Sequence, residues 1–112
     1  MLIAFVRPAT CSEAANIQLP ALQRLWEIAN GHSGQCRVVA AFLLGLYNGQ
    51  RFRFDLTDLR TLDTAIAQDC LQVLAMDITP AAEVHELLGQ PSHVFEELAT
   101  DWTIRDYTRG AA

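Results

Sequence analysis

The ten-residue run from Val38 to Tyr47 constrains the fold of this chain more than any other segment. It reads VVAAFLLGLY and would be apolar on every face of a helix, so other elements must surround it. Ser33 is a suitable N-cap before the run and Gly49 a suitable stop after it, which predicts a helix from about residue 34 to 48. Gly45 predicts the close approach of a neighbouring helix. The run therefore predicts a buried central helix.

Composition places this helix in one ordinary globular domain. The chain has 112 residues, of which 51% are hydrophobic and 19% charged, and this apolar fraction excludes intrinsic disorder. The length supports one hydrophobic core, so we expect a single domain spanning residues 1–112. The longest apolar run is about half the length of a membrane span, and no transmembrane segment is expected.

Helical periodicity recurs along most of the chain and predicts an all-α fold, a compact bundle of about five helices. A short extended segment is expected over Leu2–Val6, and a loop or weak turn over Thr10–Asn16. Asp55 or Asp58 is expected to cap a short helical turn over 56–60, Thr79 the fourth helix and Ser92 the last one. The predicted helices span about residues 20–29, 34–48, 61–76, 80–88 and 92–102.

The charge balance disfavours binding to duplex nucleic acid. Thirteen acidic residues face eight basic ones, a formal net charge of −5, and all eight basic residues are arginines scattered among acids. Duplex binding needs clustered cations that displace counterions from phosphates. A protein partner or a second copy of the chain is the expected ligand. Three widely spaced cysteines without a CxxC pair, and no signal-peptide pattern, predict a cytoplasmic protein.

Catalytic motifs are weak, so we do not expect an enzyme. The segment Gly31–Gly34 resembles a nucleophile elbow, but Gln35 stands where its last glycine belongs. His32 and Cys36 share helical spacing but lack the paired ligands of a structural zinc site, so neither a metal nor a cofactor is expected. The alternative function is a small-ligand-binding protein or enzyme with a pocket near His32, Cys36, Asp55 and Asp58.

Two sets of residues are candidates for specific roles. The first is a polar clasp that braces the central helix against the turn that follows it, because the Arg37 guanidinium can extend from an apolar stem to acids. The second is a partner-binding surface, since arginine and aromatic side chains supply anchors at interfaces. Arg51 and Arg53 with the neighbouring Phe rings could also stack on single-stranded bases. The predicted clasp comprises Gln35, Arg37, Asn48, Asp55, Asp58 and Asp63, and the predicted contact residues are Arg51, Phe52, Arg53, Trp102 and Tyr107.

Part of the sequence resembles an uncharacterised family of small proteins encoded on proteobacterial plasmids and integrative elements. The resemblance is carried by GQCRVVAAFLL from Gly34, by Tyr47-Asn48, by FDLTDL from Phe54 and by Asp63, and it covers roughly Gly34–Asp77. It implies no activity and no catalytic residue. It does imply a mobile-element context, in which a small acidic protein acts by binding another protein, for example as a regulator or as an anti-defence or anti-CRISPR inhibitor. The expected function is therefore that of a non-enzymatic interaction module.

Overall fold

The computed structural model describes the backbone of residues 11–109 and the side chains of residues 17–109. This part of the chain contains helices and no strand, which confirms the all-α prediction. The predicted extended segment Leu2–Val6 lies outside the described residues. The helices are α1 (Cys11–Ala29), α2 (Gly34–Tyr47), a 3-10 helix (Leu56–Thr61), α3 (Thr64–Ile78), α4 (Val84–Leu87) and α5 (Ser92–Trp102).

Helix α2 lies at the centre, as its uniformly apolar sequence predicts. It contacts α1, α3, α4, α5 and the 3-10 helix. At its start the Cys36 backbone N–H donates to Ser33 Oγ over 3.3 Å, which confirms the prediction that Ser33 is the N-cap of α2. Such a cap contributes about 1 kcal/mol to helix stability. The α2 residues that are buried in the core are Val39, Ala40, Phe42, Leu43 and Leu44.

Gly45 lies against an extended segment and not against a neighbouring helix, so that part of the prediction is wrong. A Cβ at residue 45 would be 3.3 Å from Phe54 Cβ and 3.4 Å from the Phe52 carbonyl oxygen. The chain leaves α2, turns at Asn48–Gly49 and returns along the helix it has just left. Both Phe52 and Phe54 belong to the core, and the Phe54 ring meets Phe42 edge-on at 5.5 Å.

Gly45→Val is expected to lower the free energy of unfolding by about 1–3 kcal/mol, because the added methyl groups must displace the Phe52–Phe54 backbone. Urea denaturation would measure the loss. Gly34→Val is the matched control on the same helix, since nothing lies within 4 Å of a Cβ added at Gly34. An equal loss at both glycines would show that the close approach at Gly45 does not decide the effect.

Helices α1 and α3 pack against each other and run antiparallel. The Gln35 side chain at the start of α2 accepts from the Asp63 N–H over 2.7 Å, which places the start of α3 beside the end of α1. Arg24 on α1 forms a bidentate ion pair with Asp69 on α3, with both N···O distances at 2.8 Å. The start of α1 therefore lies at the Ile78 end of α3.

An aromatic stack joins three helices in the core. The Phe95 ring of α5 is fully buried between Trp26 of α1, at a centroid distance of 5.0 Å, and Tyr47 of α2, at 5.1 Å. Both pairs are stacked, and stacked pairs add about 0.5–1.5 kcal/mol beyond the area they bury. The stack fixes α5 across α1 and α2.

The start of α1 and the N-caps of α4 and α5 differ from the predictions. Helix α1 begins at Cys11, so the loop or weak turn expected up to Asn16 is wrong for this stretch, and Pro20 lies inside the helix. A proline there removes one backbone hydrogen bond, so tertiary packing has to compensate for it. Thr79 follows α3 and does not cap α4, whose N-cap is Glu83 with Glu86 Oε1 accepting from its N–H. Ser92 is the first residue of α5 and does not cap it.

Candidate interaction site

Arg51 is the centre of an ion-pair cluster between the segment after α2, helix α5 and the C-terminal segment. Its two terminal nitrogens donate to the two carboxylate oxygens of Glu96 over 2.7 Å each. Its Nε donates to Asp106 Oδ2 over 2.9 Å. Tyr47 Oη donates to the same Glu96 carboxylate over 2.7 Å. Arg51 therefore connects residues that are 45 and 55 positions away in sequence.

The cluster shifts the titration of its members in the directions that its geometry requires. Hydrogen bonds from Arg51 hold the pKa of Glu96 at about 2, against an ordinary value of 4.5. Hydrogen bonds from Thr108 and Arg51 lower the pKa of Asp106. Burial and the neighbouring Glu96 raise the pKa of Tyr47, and the two carboxylates raise that of Arg51. At neutral pH, Arg51, Glu96 and Asp106 are therefore charged and Tyr47 is a neutral donor.

The C-terminal segment is fixed in place by this cluster. Thr103 ends α5 in the left-handed conformation, with φ 55° and ψ 45°, and the chain reverses direction there. The Tyr107 N–H then donates to the Arg51 carbonyl over 2.7 Å. A β-branched residue in this conformation carries strain of order 1–3 kcal/mol, which the contacts beyond it must offset. The segment that follows α5 is therefore an ordered part of the surface.

This return places two arginines on one exposed tyrosine, and we call Arg53, Arg105 and Tyr107 the arginine–tyrosine patch. The Arg105 Cζ lies 4.5 Å from the centre of the Tyr107 ring, and the Arg53 Cζ lies 5.4 Å from it. The Tyr107 side chain is 41% exposed. Among the described residues, neither arginine of the patch forms an ion pair with a carboxylate.

The structure separates the predicted contact residues into two groups. Arg53 and Tyr107 are exposed and adjacent, as a binding surface requires. Phe52 is 2% exposed and belongs to the core, Arg51 is half-buried in its ion pairs, and Trp102 donates from Nε1 to the Ala29 carbonyl over 2.9 Å. Phe52 is therefore too buried to act as an anchor, whereas the partly exposed Arg51 and Trp102 side chains also stabilise the fold. The burial of Phe52 also removes it as a stacking platform for single-stranded bases.

Two residues of this region carry roles that the sequence analysis missed. Glu96 and Arg105 belong to neither predicted set. Glu96 accepts hydrogen bonds from Arg51 and Tyr47, and Arg105 lies against the Tyr107 ring. The only local sequence feature that predicts the contact between Arg105 and Tyr107 is their spacing of two, since alternate residues of an extended segment share a face.

The predicted polar clasp forms only between two of its members. Gln35 bonds twice with Asp63, donating from Nε2 over 3.3 Å and accepting from the backbone over 2.7 Å. Asp55 caps the 3-10 helix through the Thr57 N–H over 3.0 Å, and Asn48 Oδ1 accepts from Gln50 and Arg51 N–H groups in its own turn. Arg37 and Asp58 make no side-chain hydrogen bond among residues 17–109. The brace expected from Arg37 is therefore wrong.

A cavity of about 320 Å³ lies near the predicted ligand pocket. It is lined by residues from the end of α1, from the turn that follows α1 and from α5, among them His32, Asp101 and Trp102. Asp55 and Asp58 are not part of its lining, so the predicted pocket does not assemble as a unit. Cys36 packs beneath Gly31, where an added Cβ would lie only 2.6 Å from its sulfur. Burial raises the Cys36 pKa, but hydrogen bonds from Ser33 and from the backbone of His32 and Cys36 together outweigh it, and the net shift is downward.

Comparison with known proteins places the chain in a family. A sequence profile described as a family of unknown function (DUF7673) matches residues 19–103. The chain belongs to this family. The DUF7673 match confirms the resemblance to an uncharacterised family and extends it beyond residues 34–77. It contains Arg53 and ends before Arg105 and Tyr107. No curated protein and no solved structure shows significant similarity to the chain.

No helix among the described residues has the length and hydropathy needed to cross a membrane. Groups of three or more histidine, cysteine or carboxylate side chains placed to hold a metal ion are also absent from the part of the DUF7673 protein that the structure describes.

Proposed function

We propose that this protein is a non-enzymatic interaction module that binds an acidic segment of a protein partner through the arginine–tyrosine patch. The observation that carries the proposal is the exposed Tyr107 ring, over which both the Arg53 and the Arg105 guanidinium groups lie. Arginine and tyrosine are the residue types most enriched among interface anchors. The chain carries a net charge of −5, so two guanidinium groups without carboxylate partners mark a place where an anionic group is attracted.

The way the patch is held supports binding rather than solubility alone. Tyr107 is fixed through its backbone to Arg51, and Asp106 beside it is fixed through the Arg51 side chain. A preorganised surface loses less conformational entropy on binding than a flexible tail does. Planar guanidinium groups also match the geometry of carboxylates, which each can bind with two parallel hydrogen bonds.

The proposal includes a setting for the protein. The family resemblance supports a protein encoded on a mobile element that acts on a host system, with an anti-defence or anti-CRISPR role as one form of this. The unpaired Cys36 and Cys70 thiols and the single hydrophobic core are consistent with action in the cytoplasm.

The test is recovery of partners by the tagged protein from a nuclease-treated lysate of the native host, followed by measurement of affinity for the recovered protein. Arg53→Glu/Arg105→Glu is expected to weaken that affinity at least about 30-fold, which corresponds to the loss of about 2 kcal/mol at an interface anchor. Arg37→Glu/Arg60→Glu is the matched control, because it changes the net charge equally at two exposed arginines outside the patch.

The outcomes separate the candidate functions. If the control variant weakens the affinity for the partner as much as the patch variant does, binding depends on net charge alone and the proposal is contradicted. Recovery of a partner only when the nuclease is omitted would point to nucleic acid. If the bait alone returns, the small-ligand function becomes the leading alternative, and the cavity beside His32, Asp101 and Trp102 is the place to test it.

A further inference from the structure

The C-terminal ends of α1 and α5 meet at the cavity of about 320 Å³. Helix α1 ends at Ala29 and α5 at Trp102, and the Trp102 Nε1–H donates to the Ala29 carbonyl over 2.9 Å. The cavity lies at the opposite end of α1 from Cys11, where the described backbone begins. Its volume is within the range of small-ligand pockets. The other lining residues are Asn30, Gly31, His32, Leu98 and Asp101.

The electrostatic potential at the cavity is negative from three sources. The C-terminus of a helix carries a partial negative charge, and two helices end here. Neither helix has a basic residue in its last turn to offset that charge. The Asp101 carboxylate, in the last turn of α5, adds a formal negative charge. Within the described part of the chain Asp101 forms no ion pair, and no arginine lines the cavity.

The position of Asp101 is unfavourable for the free protein. Acidic side chains stabilise the first turn of a helix and destabilise the last turn, because the helix dipole is negative there. A cation bound in the cavity would offset this repulsion and would stabilise the folded state. The arrangement therefore favours a positively charged ligand over the stability of the isolated fold.

We infer that the cavity binds a guanidinium group, the head group of an arginine side chain. A planar guanidinium can form two parallel hydrogen bonds with the Asp101 carboxylate. It can also stack on an indole, and tryptophan is the aromatic side chain that attracts cations most strongly. The inference is independent of the proposed function, because the cavity and the arginine–tyrosine patch share no residue and attract opposite charges.

Other lining groups also fit a ligand rich in hydrogen-bond donors. Asn30 Nδ2 donates to the Trp26 carbonyl over 2.8 Å, which fixes the amide and leaves Oδ1 without a donor among residues 17–109. A neutral His32 imidazole can accept one hydrogen bond, and a guanidinium has five N–H donors and no acceptor. A metal ion fits less well, because the described residues contain no group of three carboxylate, histidine or cysteine side chains placed to hold one.

The exposure of the cavity sets the expected affinity. Asp101 and His32 are exposed, so water and salt screen the attraction for the guanidinium. We therefore expect a dissociation constant on the order of 1 mM, which should increase as the salt concentration rises. A free small molecule or an arginine of a protein segment could supply the group, since the exposed rim admits both.

An NMR titration of the ¹⁵N-labelled protein with N-acetyl-arginine amide, at about 50 mM NaCl, tests the inference. The signals of the Trp102 indole N–H and of the backbone N–H groups of residues 30–32 should shift. N-acetyl-citrulline amide has nearly the same shape but no charge, so it should bind at least about tenfold more weakly. Equal affinity for the two compounds, or no shift at these positions, would overturn the inference.

Substitution of Asp101 tests the role of its carboxylate. Asp101→Asn should weaken binding of N-acetyl-arginine amide at least about tenfold, and should raise the melting temperature of the free protein by about 1–5 °C. Asp58→Asn is the matched control, because it removes the same charge from an exposed aspartate outside the cavity. The inference is wrong if both variants bind the compound equally, or if Asp101→Asn melts below the wild type. Arg53→Glu/Arg105→Glu should leave this binding intact.

A peptide distinguishes the two sources of the guanidinium group. The probe is a blocked pentapeptide in which two glycines flank a central arginine on each side. Binding at least about threefold tighter than that of N-acetyl-arginine amide would assign the cavity to an arginine of a protein segment. Equal or weaker binding would assign it to a free small molecule. If neither probe binds, the inference is overturned for both sources.

Discussion

Phe52→Ala is expected to lower the free energy of unfolding by about 3–5 kcal/mol, the range for removing a buried phenylalanine ring. The ring is 2% exposed, and it lies 6.5 Å from Tyr47 and 4.7 Å from the Arg51 Cζ. Removing it leaves a cavity between α2 and the segment that returns along it. Thermal unfolding should show a melting temperature lower by about 15 °C or more.

The adjacent Arg53→Ala substitution is the control for the Phe52 prediction. Arg53 is exposed, so we expect its loss to change the free energy of unfolding by no more than about 0.5 kcal/mol. The comparison would contradict the burial of Phe52 if both substitutions had equally small effects. Urea denaturation with a fluorescence readout is sufficient to separate the two results.

Arg51→Met is expected to destabilise the protein by about 2 kcal/mol, because it removes three hydrogen bonds to carboxylates and leaves Glu96 without a cation. Asp106 keeps only its ion pair with the exposed Arg109. Arg24→Met is the matched control. Arg24 makes a bidentate ion pair with Asp69 whose N···O distance of 2.8 Å is close to the 2.7 Å between Arg51 and Glu96. However, the Arg24 side chain is 57% exposed, against 22% for Arg51. We expect that loss to be below about 1 kcal/mol.

The pH dependence of stability gives a second readout of Arg51. The folded protein lowers the pKa of Glu96 to about 2 from an ordinary value of 4.5. The stabilisation is therefore complete above the ordinary value and is lost as the pH falls toward 2. In Arg51→Met the carboxylate titrates closer to its ordinary pKa, so the stability gap between wild type and variant should narrow between pH 5 and pH 2. A gap that stays constant with pH would contradict the ion-pair account.

Local patterns were sufficient for the architecture but not for every helix boundary. The apolar run of α2, its Ser33 cap and the Asp55 cap of the 3-10 helix follow from short-range chemistry, and the structure contains all three. The start of α1 cannot be predicted in this way, because the sequence around Pro20 fits both the first turn of a helix and its interior. Packing of α1 against α3, more than 40 residues away in sequence, decides between these two positions.

The candidate site was only partly predictable, for a related reason. Residue type identified Arg53 and Tyr107 as potential anchors, but their contact requires the chain to reverse at Thr103 and return to Arg51. That reversal uses a conformation that β-branched residues rarely adopt, so no sequence rule would assign it to a threonine. The predicted role of Arg37 in the clasp was wrong because the length of an arginine side chain allows contact with nearby acids but does not determine where the side chain lies.

The aromatic stack of Trp26, Phe95 and Tyr47 also makes the two tryptophans separate optical probes. Trp26 reports on the stack between α1 and α5, whereas Trp102 reports on the hydrogen bond from α5 to the end of α1. With Trp102→Phe, the remaining fluorescence and near-ultraviolet dichroism follow the packing of the core. With Trp26→Phe, they follow the rim of the cavity. The two variants together can thus time events at the rim and loss of the core independently.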